Sequence, residues 1–157
     1  MKTELTQNYL KECLDYNPDT GIFTRKKTQT TVGTLRKDGY LMMRANNTAY
    51  LNHRLAWFYV YGYFPKQIDH INNIRTDNRI CNLREANRSE NNQNQIKPRS
   101  NNKVGFLGVC FDKNNLNYRA RIGINKKYIN IGSFKTPEQA HAAYIAAKRQ
   151  LHPFGEI

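Results

Sequence analysis

Residues 91–103 read Asn-Asn-Gln-Asn-Gln-Ile-Lys-Pro-Arg-Ser-Asn-Asn-Lys. One apolar side chain, one proline and no periodicity give this stretch nothing to bury, so it has the composition of a linker. A chain of 157 residues interrupted there must build two small cores instead of one large one. The expected division is a first domain over 1–95, a linker over 96–103 and a second domain over 104–157. Charge is uneven across it. Residues 1–95 carry 14 basic and 9 acidic side chains, whereas residues 96–157 carry 11 and 3.

The whole chain has a formal net charge of +13 and a pI near 9.8. A basic surface concentrates polyanions around it, and nucleic acid is the commonest large polyanion in cells. Asparagine is also abundant, at 20 residues. No run approaches the ~20 apolar residues of a membrane span, and Met1–Gln7 lacks the apolar core of a secretion signal. The expected setting is therefore cytoplasmic, without a membrane partner. Cys13, Cys81 and Cys110 are an odd, widely spaced set. They form neither a disulfide framework nor a CxxC zinc pair, and each reads as a small buried hydrophobe.

The expected class is α+β. In the first domain, Leu10, Cys13 and Leu14 share a face at helical spacing, and Asn17-Pro18-Asp19-Thr20-Gly21 is turn chemistry. Strands are expected at Gly21–Arg25 and Tyr40–Arg44. A helix is expected over His53–Tyr61, with Asn52 as N-cap and Gly62 as its end, and Trp57 in the core. In the second domain, Gly108–Phe111, Tyr118–Ile122 and Tyr128–Ile131 read as strands. Thr136-Pro137-Glu138-Gln139 is a helix start, followed by Ala140, Ala143, Tyr144 and Ala147 on one face. Together these make a three-stranded antiparallel sheet packed on one helix. Ala120, Ile122, Ile129 and Ile131 are needed under that helix, which leaves Arg119, Arg121, Tyr128 and Asn130 on the open face.

The segment richest in chemistry is Ile68–Asn91. Asp69 and His70 end a probable strand, Asn82-Leu83 opens another, and Asn87 with Glu90 forms a capping box that starts a helix bearing Asn91. Strand, loop, strand and helix would gather Asp69, His70 and Asn91 in one cleft. A hard divalent cation takes oxygen ligands; Asp69 offers a carboxylate and Asn91 an amide oxygen. His70, with an ordinary pKa near 6.5, is substantially neutral at pH 7 and can take a proton from water. Magnesium is the first expectation and manganese the second. Arg75 and Arg79, beside the motif, are candidate phosphate contacts. His53 either lines the cleft or is a buried structural histidine. His141 and His152 have no ligand partners at useful spacing.

Asp69-His70, then Asn82, then Asn91 resembles the HNH endonuclease motif in its His-Asn-Asn form, built as a ββα-metal module. Asn52-His53-Arg54-Leu55-Ala56-Trp57 and Tyr16–Phe23 are similar to the phage and homing-endonuclease branch. The resemblance covers roughly residues 10–95. It implies that His70 is the general base and that Asp69 and Asn91 bind metal. It also implies that Asn82 braces the loop and orients His70, and that DNA is cut to 3′-hydroxyl and 5′-phosphate ends.

The second domain resembles the plant ethylene-response-factor (AP-two) DNA-binding domain. The resemblance rests on Gly108-Val109, Tyr118–Ile122, Ile131–Phe134 and Thr136–Ala147. It implies that Arg119, Arg121, Tyr128 and Asn130 enter a groove of double-stranded DNA. Lys126 and Lys127 are expected in the adjoining turn, as phosphate contacts. Cys110 and Asn130 depart from that family's arginine and tryptophan, so its base preference does not transfer.

The expectation is a metal-dependent DNA endonuclease, a monomer or weak dimer with no protein partner implied. The rival is a non-catalytic DNA-binding regulator on the same scaffold.

Overall fold

The computed structural model describes residues 4–124 and 127–155. It divides into two compact units, Met1–Ala86 and Asn87–Ile157. The division falls after Ala86, so the polar 91–103 stretch is part of the second unit. No helix among the described residues is long and apolar enough to cross a membrane.

The first unit opens with α1 (Gln7–Cys13), capped by the Thr6 side chain. It continues with β1 (Leu14–Asn17), β2 (Ile22–Arg25) and β3 (Thr31–Val32), an antiparallel sheet in that order. A second sheet follows from β4 (Thr34–Leu35), β5 (Leu41–Ala45) and β6 (Thr48–Leu51). Then come α2 (Asn52–Tyr61), β7 (Ile68–His70), a single 3-10 turn at Ile80–Asn82 and β8 (Leu83–Glu85). The core is Leu10, Leu14, Tyr16, Phe23, Leu55, Ala56, Trp57 and Phe58, with Leu83 of β8 joined to it.

Three local expectations are corrected. The helix ends at Cys13, so Leu14 is buried as the first residue of β1 while Cys13 is exposed. A shared helical face does not survive that change of backbone. Cys81 is exposed as well and Cys110 is partly so; none of the three is a core residue. Asn52 is the first residue of α2, and Leu51 takes the N-cap position without a side-chain bond. The Asn52 amide instead donates to Val32 O at 3.3 Å, tying the helix start to β3.

The second unit begins with α3 (Arg88–Gln93). The Asn87 side chain accepts from Ser89 N and Glu90 N, and the Glu90 carboxylate accepts from Asn87 N at 2.7 Å, which completes the capping box. Next come β9 (Val109–Asp112), β10 (Asn117–Ile124), β11 (Lys127–Phe134) and α4 (Pro137–Leu151). The sheet order is β11-β10-β9, all antiparallel.

Ala120 and Ile122 alternate inward against Ala140 and Tyr144 of α4, the period-two burial of a half-covered strand. A register shift at Ala120/Arg121 moves the pairing to Arg121↔Asn130. Ile131 packs against the core, whereas Ile129, expected under the helix, is 47% exposed and lies outside it, a correction. Gly108, at φ +76°, lies where any Cβ would run into the Tyr144 ring. Only glycine lets α4 come this close to the sheet.

Residues 93–95 are fastened to the end of α4. Lys148, 1% exposed, donates from Nζ to Gln95 O at 3.0 Å, and the Gln93 side chain accepts from Phe154 N.

Candidate active site

β7 pairs antiparallel with β8 in the register Ile68↔Glu85, Asp69↔Arg84, His70↔Leu83. Residues opposite one another on paired strands share a face, so Asp69 faces Arg84. Arg84 Nε and Nη2 donate to Asp69 Oδ2 at 2.9 and 2.7 Å. His70 lies opposite Leu83, a core residue. Both candidate residues are buried, Asp69 at 6% and His70 at 5% exposure.

The loop between the strands is held by amides. Asn82 Oδ1 accepts from Asn72 N at 3.0 Å, and its Nδ2 donates to Asp77 O at 2.8 Å. Asn72 Nδ2 donates to Asp77 Oδ2, and Asp77 in turn receives Arg79. These contacts, the Arg79 guanidinium foremost, hold the Asp77 carboxyl down at about 2. Asn78 Oδ1 lies 3.4 Å from His70 Nε2. An amide oxygen only accepts, so this contact favours the proton on Nε2 and a lone pair on Nδ1. Asn82 thus holds the loop, and the Asn78 amide comes to the imidazole. The Tyr16 hydroxyl donates to Asn78 O at 2.7 Å, anchoring the loop to the first sheet.

Two rings wall His70. The His53 ring, from the first turn of α2, meets it edge-on with centroids 4.9 Å apart. Tyr40 lies 5.2 Å from His53 and 5.8 Å from His70. Arg75 lies over Tyr40 at 5.0 Å and donates to Asp38 O. Burial pulls the His70 pKa below the usual imidazole value, against opposing contributions from Asn78 and Asp69. Burial, then His70 and Arg54, lower that of His53 to about 3. Both imidazoles are therefore neutral at pH 7, the form a general base requires.

Of the two readings of His53, the structure has it 6% exposed beside the cleft histidine. Tyr40 reaches His70 by long-range folding and Asn78 by the path of the loop between β7 and β8, and neither carries a sequence signal of its own. His141 and His152 each contact a backbone carbonyl, of Leu107 and Gly123 respectively.

The depressed His53 pKa has a measurable consequence. The unfolded chain takes up a proton near pH 6.5, and the folded unit resists doing so until about 3. Stability is therefore complete above about pH 6.5 and falls as pH drops below it, by roughly 1.4 kcal/mol per pH unit for one such group. His70, displaced in the same direction, adds to the slope. Asp77 acts lower: its contribution is present above the usual carboxylate value and is lost as pH falls toward 2. Trp57, the single tryptophan, is buried in this unit and reports its melting. Its transition should drop by about 10 °C between pH 6.5 and 4.5, and less in His53→Phe.

Asp69, His70 and Asn82 lie within the first unit. Asn91 belongs to the second, on α3, where it is exposed. Arg75 and Arg79 are exposed on the first unit. In the second, Arg119 is ion-paired with Asp112, while Arg121 lies over the Tyr128 ring at 5.6 Å. Tyr128 is 77% exposed, and Lys127 and Asn130 are exposed. Lys126 lies outside the described residues.

Among the described residues no group of three or more His, Cys, Asp or Glu side chains comes together as a metal centre. Asp69 offers the oxygen chemistry a hard divalent cation takes, and the adjoining His70 stays neutral. The first unit thus fits such an ion by one carboxylate, whose Oδ2 already receives Arg84.

Residues 50–93 match the family model described as HNH endonuclease. This span holds His53, Asp69, His70, Asn82 and Asn91, and amounts to a little over a quarter of the chain. No curated protein and no solved structure matches the chain. The segment that builds the buried Asp69-His70 strand is therefore similar to an HNH endonuclease domain, a DNA-cleaving hydrolase module.

Proposed function

We propose that this protein is a metal-dependent DNA endonuclease with His70 as general base. The observation that carries the reading is the neutral, walled-in imidazole of His70 beside the Asp69 carboxylate, inside the segment that matches HNH endonucleases. His70 accepts a proton from water, and the resulting hydroxide attacks phosphorus. The bond from phosphorus to the 3′ oxygen breaks, and that oxygen takes a proton from solvent water, leaving a 3′-hydroxyl and a 5′-phosphate. Asp69 and Asn91 are the proposed holders of a divalent cation, magnesium or manganese, which when bound supplies charge stabilisation to the phosphate and the leaving oxygen. Asn82 keeps the loop closed, and Asn78, His53 and Tyr40 hold the imidazole in place. Arg75 and Arg79 bind neighbouring phosphates. On the second unit, Arg119, Arg121, Lys126, Lys127, Tyr128 and Asn130 form the accessory DNA-binding face.

One observation favours a second reading. Arg84 already neutralises Asp69, as it would in a regulator that binds DNA on this scaffold without cutting it. Supercoiled plasmid incubated with the protein and magnesium separates the two. Nicked or linear product, abolished by a chelator, supports the endonuclease. Tight binding with intact plasmid on several DNA substrates supports the regulator.

A further inference from the structure

The second unit contains a groove of about 1040 Å3 that shares Arg121, Lys127 and Tyr128 with the accessory DNA-binding face and extends beyond it. One bank is the 88–103 segment; the other is the start of β9 and the far end of β10, with Tyr128 of β11. β9 pairs β10 over Asn117–Ala120; beyond that, Arg121 N donates to Gly108 O at 2.8 Å and Gly123 O lies 2.9 Å from His152 Nε2.

The lining chemistry is one-sided. Arg88, Arg99, Lys103, Lys113, Arg121 and Lys127 all border the groove, and no aspartate or glutamate does among the described residues. Tyr128 stands 77% exposed with the Arg121 guanidinium against its face, and Phe111 is 43% exposed. Asn92, Gln93, Gln95 and Asn101 add amides.

We propose that this groove binds an unpaired DNA strand. Cations along a groove with exposed aromatic rings are what a single strand uses: phosphates follow the charge and unstacked bases lie on the rings. A duplex keeps its bases stacked on one another, so it cannot use Tyr128 as a stacking platform. The volume is at the top of the range for a drug-sized ligand, about 300–1,000 Å3, which accommodates a few nucleotides and excludes a duplex. The choice of DNA over RNA rests on the nuclease reading. The substrate it implies is DNA with a locally open strand, held by the second unit while the first cuts.

The test is fluorescence anisotropy of the full-length protein with a short labelled oligo-dT, in chelator so that no cleavage intervenes. A duplex and an oligo-rU of equal length serve as competitors. Tyr128→Ala should weaken oligo-dT binding by about 5- to 100-fold and duplex binding by a clearly smaller factor. Arg99→Ala with Lys103→Ala should lower the slope of log K against log salt for oligo-dT by about 1.4, the value for two single-strand phosphate contacts. All three side chains are exposed, so the fold should survive both variants, as unchanged melting would verify. Equal losses for duplex and oligo-dT, no loss for either, or preference for oligo-rU would each overturn the proposal. The nuclease reading is scored separately by plasmid cleavage: oligo-dT binding with an uncut plasmid removes that reading and leaves the groove.

Discussion

His70→Ala should lower the rate of DNA strand cleavage by about 10²–10⁴-fold, the usual contribution of a positioned general base. DNA affinity measured in chelator should stay within about twofold, because His70 is 5% exposed and offers little surface to a ligand. The loss should appear in the single-turnover rate constant at saturating enzyme, since the missing step is proton transfer and not association. His70→Gln tests the same point while keeping an amide near Asn78. It should stay as inactive as the alanine variant, for an amide cannot take a proton from water at neutral pH. A cleavage rate within threefold of wild type in either variant would remove His70 from the chemistry.

Gly21→Ala should destabilise the first unit as strongly as any single methyl can. Gly21 ends the β1–β2 turn at φ +71°, with its N–H bonded to Asn17 O at 2.8 Å. A Cβ there would stand 2.5 Å from both Arg79 N and Asn78 C. Those are backbone atoms of the loop that carries Asn78 to His70, so no flexible side chain can yield. Overpacking of about 1–3 kcal/mol adds to backbone strain of similar size. The Trp57 melting transition should fall by about 10 °C or more, given about 4–8 °C per kcal/mol in a unit this small. A fall of less than about 3 °C would show that the hairpin and the loop are not packed as described. Any folded remainder should also cleave more slowly, because the loop must shift to admit the methyl.

These two residues mark what was legible beforehand. Where structure is local, the chain is readable. The Asn87–Glu90 capping box, the Thr136-Pro137 helix start and the alternation in Tyr118–Ile122 all depend on neighbours a few residues apart. His70, Asp69 and Asn82 were readable as a motif because their chemistry requires those residue types at that spacing. The surroundings of His70 were not. Tyr40 comes from the β4–β5 connection, and Asn78 is anchored by Tyr16 and packed against the Gly21 turn; these contacts join residues 30 to 62 positions apart. No periodicity encodes them. The failed cysteine reading has a similar cause. Small size and low polarity permit burial of Cys13 and Cys81 but do not compel it, and the end of α1 at Cys13 turns that side chain outward.

The place of Arg84 opposite Asp69 follows from the β7–β8 register. That register makes the ion pair a direct competitor for the carboxylate that a cation would use.

If His70 acts as general base, water itself must hydrolyse the phosphodiester. Cleavage of DNA in oxygen-18 water, with the product ends analysed by mass spectrometry, tests it most directly. The account requires one heavy oxygen in the new 5′-terminal phosphate and an unlabelled 3′-hydroxyl. Heavy oxygen in a 3′-phosphate, or no label in either end, would contradict it.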